Sequence, residues 1–280
     1  MRPIELICAD MDGTLLNPDR EISAATADAL RQAEERGIHV ALCSGRAAID
    51  LGSYARQSGL NAHLIGLNGG VVSPLGGRQS AVCFPPDIAR RLMTLFAESG
   101  LVWGCFGEKL LCVSHSPGGF EPGYWGTWLE GDGSRVMYDG LGTEALLAEG
   151  LCKAVAVDTG DGSRLRTLLR RMEAKLPPLE QAASWETNIE VNPAGVNKGA
   201  AVLRLAETLN VPLSRVMCVG DNDNDVSMLR LAGVAVAMDN GTRAAKAAAG
   251  WLCPDNAHDG AAAAIRRLAL GEPQPGVRRN

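Results

Sequence analysis

Short apolar runs alternate with amphipathic segments over the first part of the chain. Three apolar runs are predicted to be strands, at residues 4–10, 38–46 and 62–70. The segments between them, 24–37 and 47–59, have helical spacing of their apolar residues; Ser23 can cap the first and Gly37 ends it. Alternation of this kind is typical of a parallel sheet with helices on both faces.

The same alternation returns near Lys198 and continues almost to the end of the sequence. The predicted helices cover 200–209, 225–233, 242–250 and 261–270, the predicted strands cover 215–223 and 234–238, and 271–280 is predicted to be a frayed tail. The middle of the chain differs. It is predicted to contain two helices and several strands whose sequence pattern is typical of an antiparallel sheet. We therefore predict a Rossmann-like doubly wound parallel-sheet α/β core, residues 1–83 and 188–280, with an inserted α/β cap domain at 84–187.

Composition narrows the classes of function. With 280 residues and 46% hydrophobic content the chain is long enough for a substantial core. Its formal charge of −5 and its lack of long basic runs argue against nucleic acid as a partner. No run reaches the ~18 apolar residues of a membrane span. The eight cysteines contain no C-x-x-C pair, which favours reduced thiols and a cytoplasmic location.

Four polar clusters lie next to predicted strand ends or helix starts: "DMD" at 10–12, "SGR" at 44–46, "NKG" at 197–199 and "GDNDND" at 220–225. In open α/β sheets, ligands bind beyond the carboxyl ends of the strands. Asp10 and Asp221 offer the carboxylates that Mg²⁺ prefers. Ser44, Lys198 and Asn224 offer a hydroxyl, a positive charge and an amide for phosphoryl oxygens. An aspartate can itself be the nucleophile in phosphoryl transfer.

"DMDGTLL", "SGR", "NKG" and "GDNDND", in this order, resemble the haloacid dehalogenase superfamily of phosphatases. The insert after the third strand is similar to the α/β C2-type cap of the Cof-like subfamily, subclass IIB. The resemblance covers nearly the whole chain. It implies Mg²⁺-dependent hydrolysis of a small phosphomonoester, a sugar phosphate or a similar metabolite, through an aspartyl-phosphate.

The resemblance also implies a role for each motif residue. Asp10 attacks phosphorus and binds Mg²⁺; Asp12 exchanges protons with the leaving group and with water, and lends its backbone carbonyl to the metal. Asp221 is the other metal carboxylate, and Asp225 supports the metal from outside. The phosphoryl oxygens are held by Ser44, Lys198, Asn224 and the backbone amide of Met11. Asn68 is a further candidate for substrate contact.

Several alternatives stay open on the sequence. Arg46 of "SGR" suits a structural ion pair as well as a substrate ligand. A calcium loop at "DNDND" is excluded, since Val226 and Ala232 stand where the EF-hand pattern needs Gly and Glu. A phosphotransferase or phosphomutase on the same fold, and a catalytically silent phospholigand-binding protein, are the rival functions. The identity of the ester and the oligomeric state are not readable from the sequence.

Overall fold

The structure, a computed structural model, describes residues 3–114, 135–138, 140–182 and 187–280. Its strands are β1 (Leu6–Asp10), β2 (His39–Cys43), β3 (His63–Gly66), β4 (Val71–Ser73), β5 (Ser80–Ala81), β6 (Val102–Phe106), β7 (Leu110–Val113), β8 (Arg135–Tyr138), β9 (Lys153–Val157), β10 (Glu180–Ala182), β11 (Asn188–Asn192), β12 (Val216–Gly220), β13 (Val234–Met238), β14 (Trp251–Cys253) and β15 (Arg278–Arg279). Its helices are α1 (Ala24–Glu35), α2 (Ala48–Gln57), α3 (Pro86–Ala97), α4 (Leu141–Glu149), α5 (Ser163–Lys175), α6 (Lys198–Thr208), α7 (Val226–Leu231), α8 (Arg243–Ala248) and α9 (Gly260–Leu268).

The chain divides into two compact units. A core unit comprises Met1–Ser80 and Asn197–Asn280, and an inserted unit comprises Ala81–Val196. The sequence placed the second boundary before Asn188, whereas β11 pairs with β9 and β10 and so lies in the sheet of the inserted unit. The physical reason is that β11 is an antiparallel partner within that sheet, and the chain enters the core unit only at the turn that precedes α6.

The core unit contains a nine-stranded sheet in the order β15-β14-β13-β12-β1-β2-β3-β4-β5. From β14 to β3 every neighbouring pair of strands is parallel. Strand β1 is central, with chain order running outward through β2 and β3 on one side and through β12 and β13 on the other. This order confirms the predicted doubly wound sheet and puts its switch point between β1 and β12.

Helices cover both faces of this sheet. Successive side chains of each strand point to opposite faces, so a strand of apolar residues presents apolar side chains to both. In β1, Ile7 and Ala9 pack into one hydrophobic cluster, which includes Leu30 of α1 and Ile265 of α9. Leu6 and Cys8 of the same strand pack into a second cluster, which includes Leu205 of α6 and Leu229 of α7. The strand is buried on both sides along its length. Two-sided burial explains why its sequence is a nearly continuous apolar run.

The predicted frayed tail is wrong. Strand β15 pairs antiparallel with β14, and Val277 just before it is 3% exposed. The guanidinium of Arg279 lies over the ring of Trp251, 4.7 Å from its centroid. The side chain of Asn280 donates to the carbonyl of Ala249 at 3.0 Å. These contacts hold a polar segment whose sequence has no strand pattern.

The inserted unit has its own sheet, in the order β10-β11-β9-β6-β7-β8. Strands β6 and β7 pair antiparallel, as the sequence pattern predicts, whereas β7 and β8 are parallel. Helices α3, α4 and α5 contribute Phe96, Leu146 and Leu168 to a hydrophobic cluster that also holds Trp103. Two further tryptophans of the predicted cap domain, Trp125 and Trp128, lie outside the described residues.

Among the described segments, none of the helices combines the length and apolar character needed to cross a bilayer.

Candidate active site

The carboxyl ends of β1, β2 and β12 meet at the switch point of the core sheet. Asp10 is the last residue of β1 and is paired in register with Cys43, the last residue of β2. Ser44 follows directly, and Asp221 follows the last residue of β12. Three of the four predicted motifs therefore converge because parallel neighbours end at one edge of the sheet.

The fourth motif reaches the same place through Lys198, the first residue of α6. Its ammonium group donates to Oδ1 of Asp10 and, at 2.6 Å, to Oδ1 of Asp225. Lys198 is 1% exposed and Asp225 is fully buried. A cation at a helix N-terminus is disfavoured by the helix dipole, so these two carboxylates offset an unfavourable position. The helix is capped independently, since the Asn197 side chain accepts from the Ala200 amide at 2.9 Å.

Hydrogen bonds with Thr14 and with Asp225 hold Asp221 in place. The hydroxyl of Thr14 donates to its Oδ1 at 2.6 Å. Its backbone amide donates to Oδ2 of Asp225 at 2.9 Å, and the amide of Asn222 donates to that same oxygen. Gly13 has a φ of +82°, and a Cβ there would lie 2.4 Å from Asp221. Only glycine leaves room for the carboxylate at this turn.

Asp10, Asp221 and Asp225 form a cluster that could hold a metal ion, their oxygens lying within 4.8 Å of one another. Burial raises the pKa of Asp10 well above its usual range, and the nearby charge of Asp225 adds to this although Lys198 opposes it. Burial likewise raises the pKa of Asp221 to about 6, with Thr14 acting in the opposite direction. Burial would lower the pKa of Lys198, but the charges of Asp10 and Asp225 outweigh it and raise that pKa.

This donor set fits a divalent cation. Three carboxylates face one ammonium group, an excess of two negative charges when all are ionised. Hard oxygen ligands of this kind suit Mg²⁺. Both oxygens of Asp225 already accept hydrogen bonds, from Lys198 and from two backbone amides. Asp10 and Asp221 are therefore the carboxylates better placed to bind the ion.

Ser44, Asn68 and Asn224 line the neighbouring part of the site. Ser44 is 2% exposed, and its carbonyl accepts from the amide of Asn68 at 2.9 Å. Asn68 is buried with a φ of +55°, a conformation that asparagine tolerates better than most residues. Its Oδ1 accepts from Nδ2 of Asn224 at 3.3 Å. The buried Oδ1 of Asn224 has no partner among the described residues, so this oxygen is free to accept a hydrogen bond, while Nδ2 has a second hydrogen to donate.

Asp12 is oriented by Arg46. The guanidinium donates through Nε to Oδ2 of Asp12 at 2.7 Å and through Nη2 to Oδ1 at 2.5 Å. The side chain of Asp12 is 52% exposed, and that of Arg46 is 23% exposed. Arg46 also lies over the ring of Tyr54, 5.6 Å from its centroid. Hydrogen bonding to Asp12 raises the pKa of Arg46 against the effect of burial. A planar, two-point pair fixes the direction of the carboxylate.

The structure brings together Asp10, Ser44, Lys198, Asp221 and Asp225 at one edge of the core sheet. Asp12 pairs with Arg46, and Asn68 pairs with Asn224. Met11 is completely buried directly after Asp10. Asp225 contacts Lys198 and the turn before it, and Arg46 contacts Asp12. Thr14 contacts Asp221 but was not predicted as a site residue, although it lies within the "DMDGT" run. A hydroxyl beside a carboxylate turn was the available signal, but its partner Asp221 is 207 positions away.

A doubly wound sheet with carboxylates and a buried lysine at its switch point defines a class of α/β proteins suited to phosphoryl chemistry. The profile of the haloacid dehalogenase-like hydrolases matches residues 7–265. The chain belongs to this family.

The relatives agree with that assignment. The chain is 29% identical over 267 residues to 5-amino-6-(5-phospho-D-ribitylamino)uracil phosphatase YcsE of Bacillus subtilis, covering 95% of this chain and 96% of that one. It is 26% identical over 260 residues to pyridoxal phosphate phosphatase YbhA of Escherichia coli, covering 91% and 94%. A solved haloacid dehalogenase-like hydrolase from B. subtilis has a TM-score of 0.80 and 27% identity, with 95% and 100% covered. The predicted enzyme class, a phosphatase of this superfamily, is confirmed.

Proposed function

We propose that the protein hydrolyses a small phosphomonoester in a Mg²⁺-dependent reaction, with Asp10 as the nucleophile and an aspartyl-phosphate as the intermediate. One observation carries the proposal: Asp10 ends the central strand at the switch point, 5% exposed, with a buried lysine on one of its oxygens. A carboxylate in this position is aimed at the ligand-binding edge of the sheet. Burial also limits the competing access of water to it.

In this proposal Asp10, Asp221 and the backbone carbonyl of Asp12 would hold Mg²⁺, which would supply positive charge against the phosphoryl oxygens. Lys198 and the Ser44 hydroxyl bind those oxygens. Asn224 donates to them through its side chain, and the Met11 amide does so through the backbone. Such donors stabilise the charge that spreads over the equatorial oxygens during phosphoryl transfer. Asp225 keeps Lys198 charged and in place.

Proton transfer falls to Asp12. When Asp10 attacks phosphorus, Asp12 gives a proton to the departing ester oxygen. In the second half of the reaction Asp12 takes a proton from the water that cleaves the aspartyl-phosphate, which restores both carboxyl groups. The two hydrogen bonds from Arg46 suit the ionised form of Asp12, the base of the second half. The first half requires that Asp12 gain a proton and loosen this pair.

The test is a panel of phosphorylated metabolites assayed for phosphate release with Mg²⁺ and again with excess chelator. The panel includes sugar phosphates and, because of the names of two relatives, 5-amino-6-(5-phospho-D-ribitylamino)uracil and pyridoxal phosphate. We expect release that chelation abolishes and Mg²⁺ restores. Full activity in excess chelator would contradict the metal site. Faster turnover with added alcohols, and phosphate transferred to them, would indicate a phosphotransferase.

Two variants separate the roles of the aspartates. Asp10→Asn should abolish turnover, because an amide is a poor nucleophile. Asp12→Asn should lower it by ~10²–10⁴-fold, the usual worth of acid–base catalysis. Asp19→Asn is the matched control, since Asp19 is an exposed aspartate outside the site. Activity of Asp10→Asn within about tenfold of the control would refute a covalent mechanism.

A further inference from the structure

The inserted unit contains a pair of neighbouring cysteines to which the proposed reaction assigns no role. The sulfur atoms of Cys83 and Cys152 are 3.2 Å from each other. A disulfide bond is ~2.05 Å long, so a small movement of two side chains is enough to bring them to bonding distance. Cys83 precedes Phe84, and Cys152 lies just before β9.

The backbone holds the two segments side by side. The amide of Phe84 donates to the carbonyl of Leu151 at 2.8 Å, which joins the residues next to the two cysteines. Cys152 is fixed on both sides, since its amide donates to the carbonyl of Phe106 at 2.7 Å and its carbonyl accepts from Asn192 at 3.1 Å.

Gly150 makes room for the Cys83 sulfur. Its φ is +116°, and a Cβ at this position would lie 2.7 Å from that sulfur. A residue with a side chain would therefore push Cys83 away from Cys152. The close approach of the two sulfurs depends on a conformation and a space that only glycine supplies here.

The two thiols also differ in the way that a reactive pair requires. All eight cysteines are described, and Cys83 alone is not buried. The hydrogen bond from Cys152 lowers the pKa of Cys83 to about 7, against the effects of burial and of Glu108 and Glu149. The same contact, together with burial, raises the pKa of Cys152. Oxidation is selective for exposed thiols with thiolate character, especially beside a second thiol.

We propose that Cys83 and Cys152 are a reversible oxidation site that forms an intramolecular disulfide with peroxides. The Cys83 thiolate attacks one peroxide oxygen, the O–O bond breaks, and a sulfenic acid and hydroxide result. The Cys152 sulfur then attacks the Cys83 sulfur, the S–O bond breaks, and water leaves with the thiol proton. Two thiols lose two electrons in all, and one peroxide is reduced to two waters. An added dithiol reverses the change.

The remaining cysteines provide an internal comparison. Cys105 and Cys112 are directly opposite each other in β6 and β7, and Cys8 and Cys218 are opposite in β1 and β12. All four are completely buried within sheets. Because these two pairs are close together but buried, we expect them to resist oxidation. At low peroxide concentrations, oxidation should be confined to Cys83 and Cys152.

The experiment treats the fully reduced protein with hydrogen peroxide, blocks free thiols by alkylation, and maps tryptic peptides without reduction. Tryptic cleavage places Cys83 in 79–90 and Cys152 in 136–153, which separates both from the other cysteines. We expect these two peptides to be joined, a loss of two of the eight free thiols, and full recovery with dithiothreitol. In Cys152→Ala, Cys83 should instead be trapped by dimedone as a sulfenic acid. In Cys83→Ser, neither product should form.

Three results would overturn the proposal. In the first, Cys83 stays fully alkylatable at peroxide levels that oxidise other cysteines. In the second, Cys83 is oxidised directly to sulfonic acid without a cross-link. In the third, the cross-link joins a different pair of cysteines. Phosphatase activity plays no part in this readout, so the outcome is independent of the proposed reaction. If Cys152→Ala fails to fold, the wild-type peptide map still decides between these results.

Discussion

Replacing Thr14 with valine removes one hydroxyl while keeping the shape of the side chain. Thr14 is 2% exposed, and its hydroxyl donates to Oδ1 of Asp221 at 2.6 Å. The hydrogen bond fixes a carboxylate that we propose to be a Mg²⁺ ligand. Valine leaves that oxygen without this donor, so the carboxylate is free to turn away from the geometry that the ion needs.

The size of the effect follows from the kind of bond lost. A hydrogen bond to a charged group contributes ~1.5–3 kcal/mol. Groups that orient metal ligands typically alter metal affinity ~10–100-fold when removed. We expect Thr14→Val to raise the Mg²⁺ concentration for half-maximal activity by about tenfold or more. Turnover at saturating Mg²⁺ should fall much less, because Thr14 has no assigned contact with the phosphoryl group.

The assay is phosphate release from an activated aryl phosphate as a function of Mg²⁺ concentration. Thermal unfolding with and without Mg²⁺ gives a second readout, since a ligand that binds the native state stabilises it by an amount that grows with the logarithm of the ligand concentration divided by Kd. Thr14→Ser is the matched control, because it keeps the hydroxyl and loses only a methyl group. If Thr14→Val and Thr14→Ser respond to Mg²⁺ like the wild type, Asp221 does not depend on Thr14 and the reasoning fails.

Two further predictions concern other contacts. Arg46→Met should slow by about tenfold the half of the reaction in which the ionised Asp12 takes a proton from water, because Asp12 loses its two-point partner. That half follows release of the alcohol, so rapid mixing with p-nitrophenyl phosphate should show a larger burst of p-nitrophenol than in the wild type; Arg46→Lys should fall between, and an unchanged burst and turnover would exclude the positioning role. Burial and the nearby His39 lower the pKa of His63 to about 4. Between roughly pH 6.5 and 4, the unfolded chain therefore binds a proton at this histidine that the native state does not bind. The free energy of unfolding consequently falls as the pH falls through this range. Urea unfolding should show a weaker loss in His63→Gln over this range, whereas parallel curves would contradict the assignment.

The alternating pattern of the core unit could be predicted because each element has its own local signal. Strand β1 is a buried apolar run that ends at Asp10, and α1 begins after Ser23, which caps it as predicted. Since parallel strands end at one edge, the meeting of Asp10, Ser44 and Asp221 follows from sequence order alone.

The unpredicted features are those that depend on side chains brought together across the fold. Nothing near Thr14 in the sequence marks Asp221 as its partner. The sequence did not decide between an ion pair and a substrate contact for Arg46. An ion pair with Asp12 depends on the backbone path of the turns after β1 and β2, which the sequence pattern does not show. Residues 271–280 carry no strand pattern. Arg279 pairs with β14 because β14 offers a sheet edge and the guanidinium of Arg279 packs over the ring of Trp251.

The position of β1 in the centre of the core sheet has a consequence for biosynthesis. Its partner on one side, β2, follows at once, but its partner on the other side, β12, is separated from it by the whole inserted unit. Asp10 and Lys198, which touch in the finished site, are 188 positions apart. During synthesis the nascent chain therefore presents one edge of β1 unpaired until β12 has left the ribosome, and unpaired edges are prone to aggregation in this interval. The proposed site draws on residues from Asp10 to Asp225, so a nascent product that ends before Asp225 lacks part of it, and we expect hydrolysis only after this residue has left the ribosome.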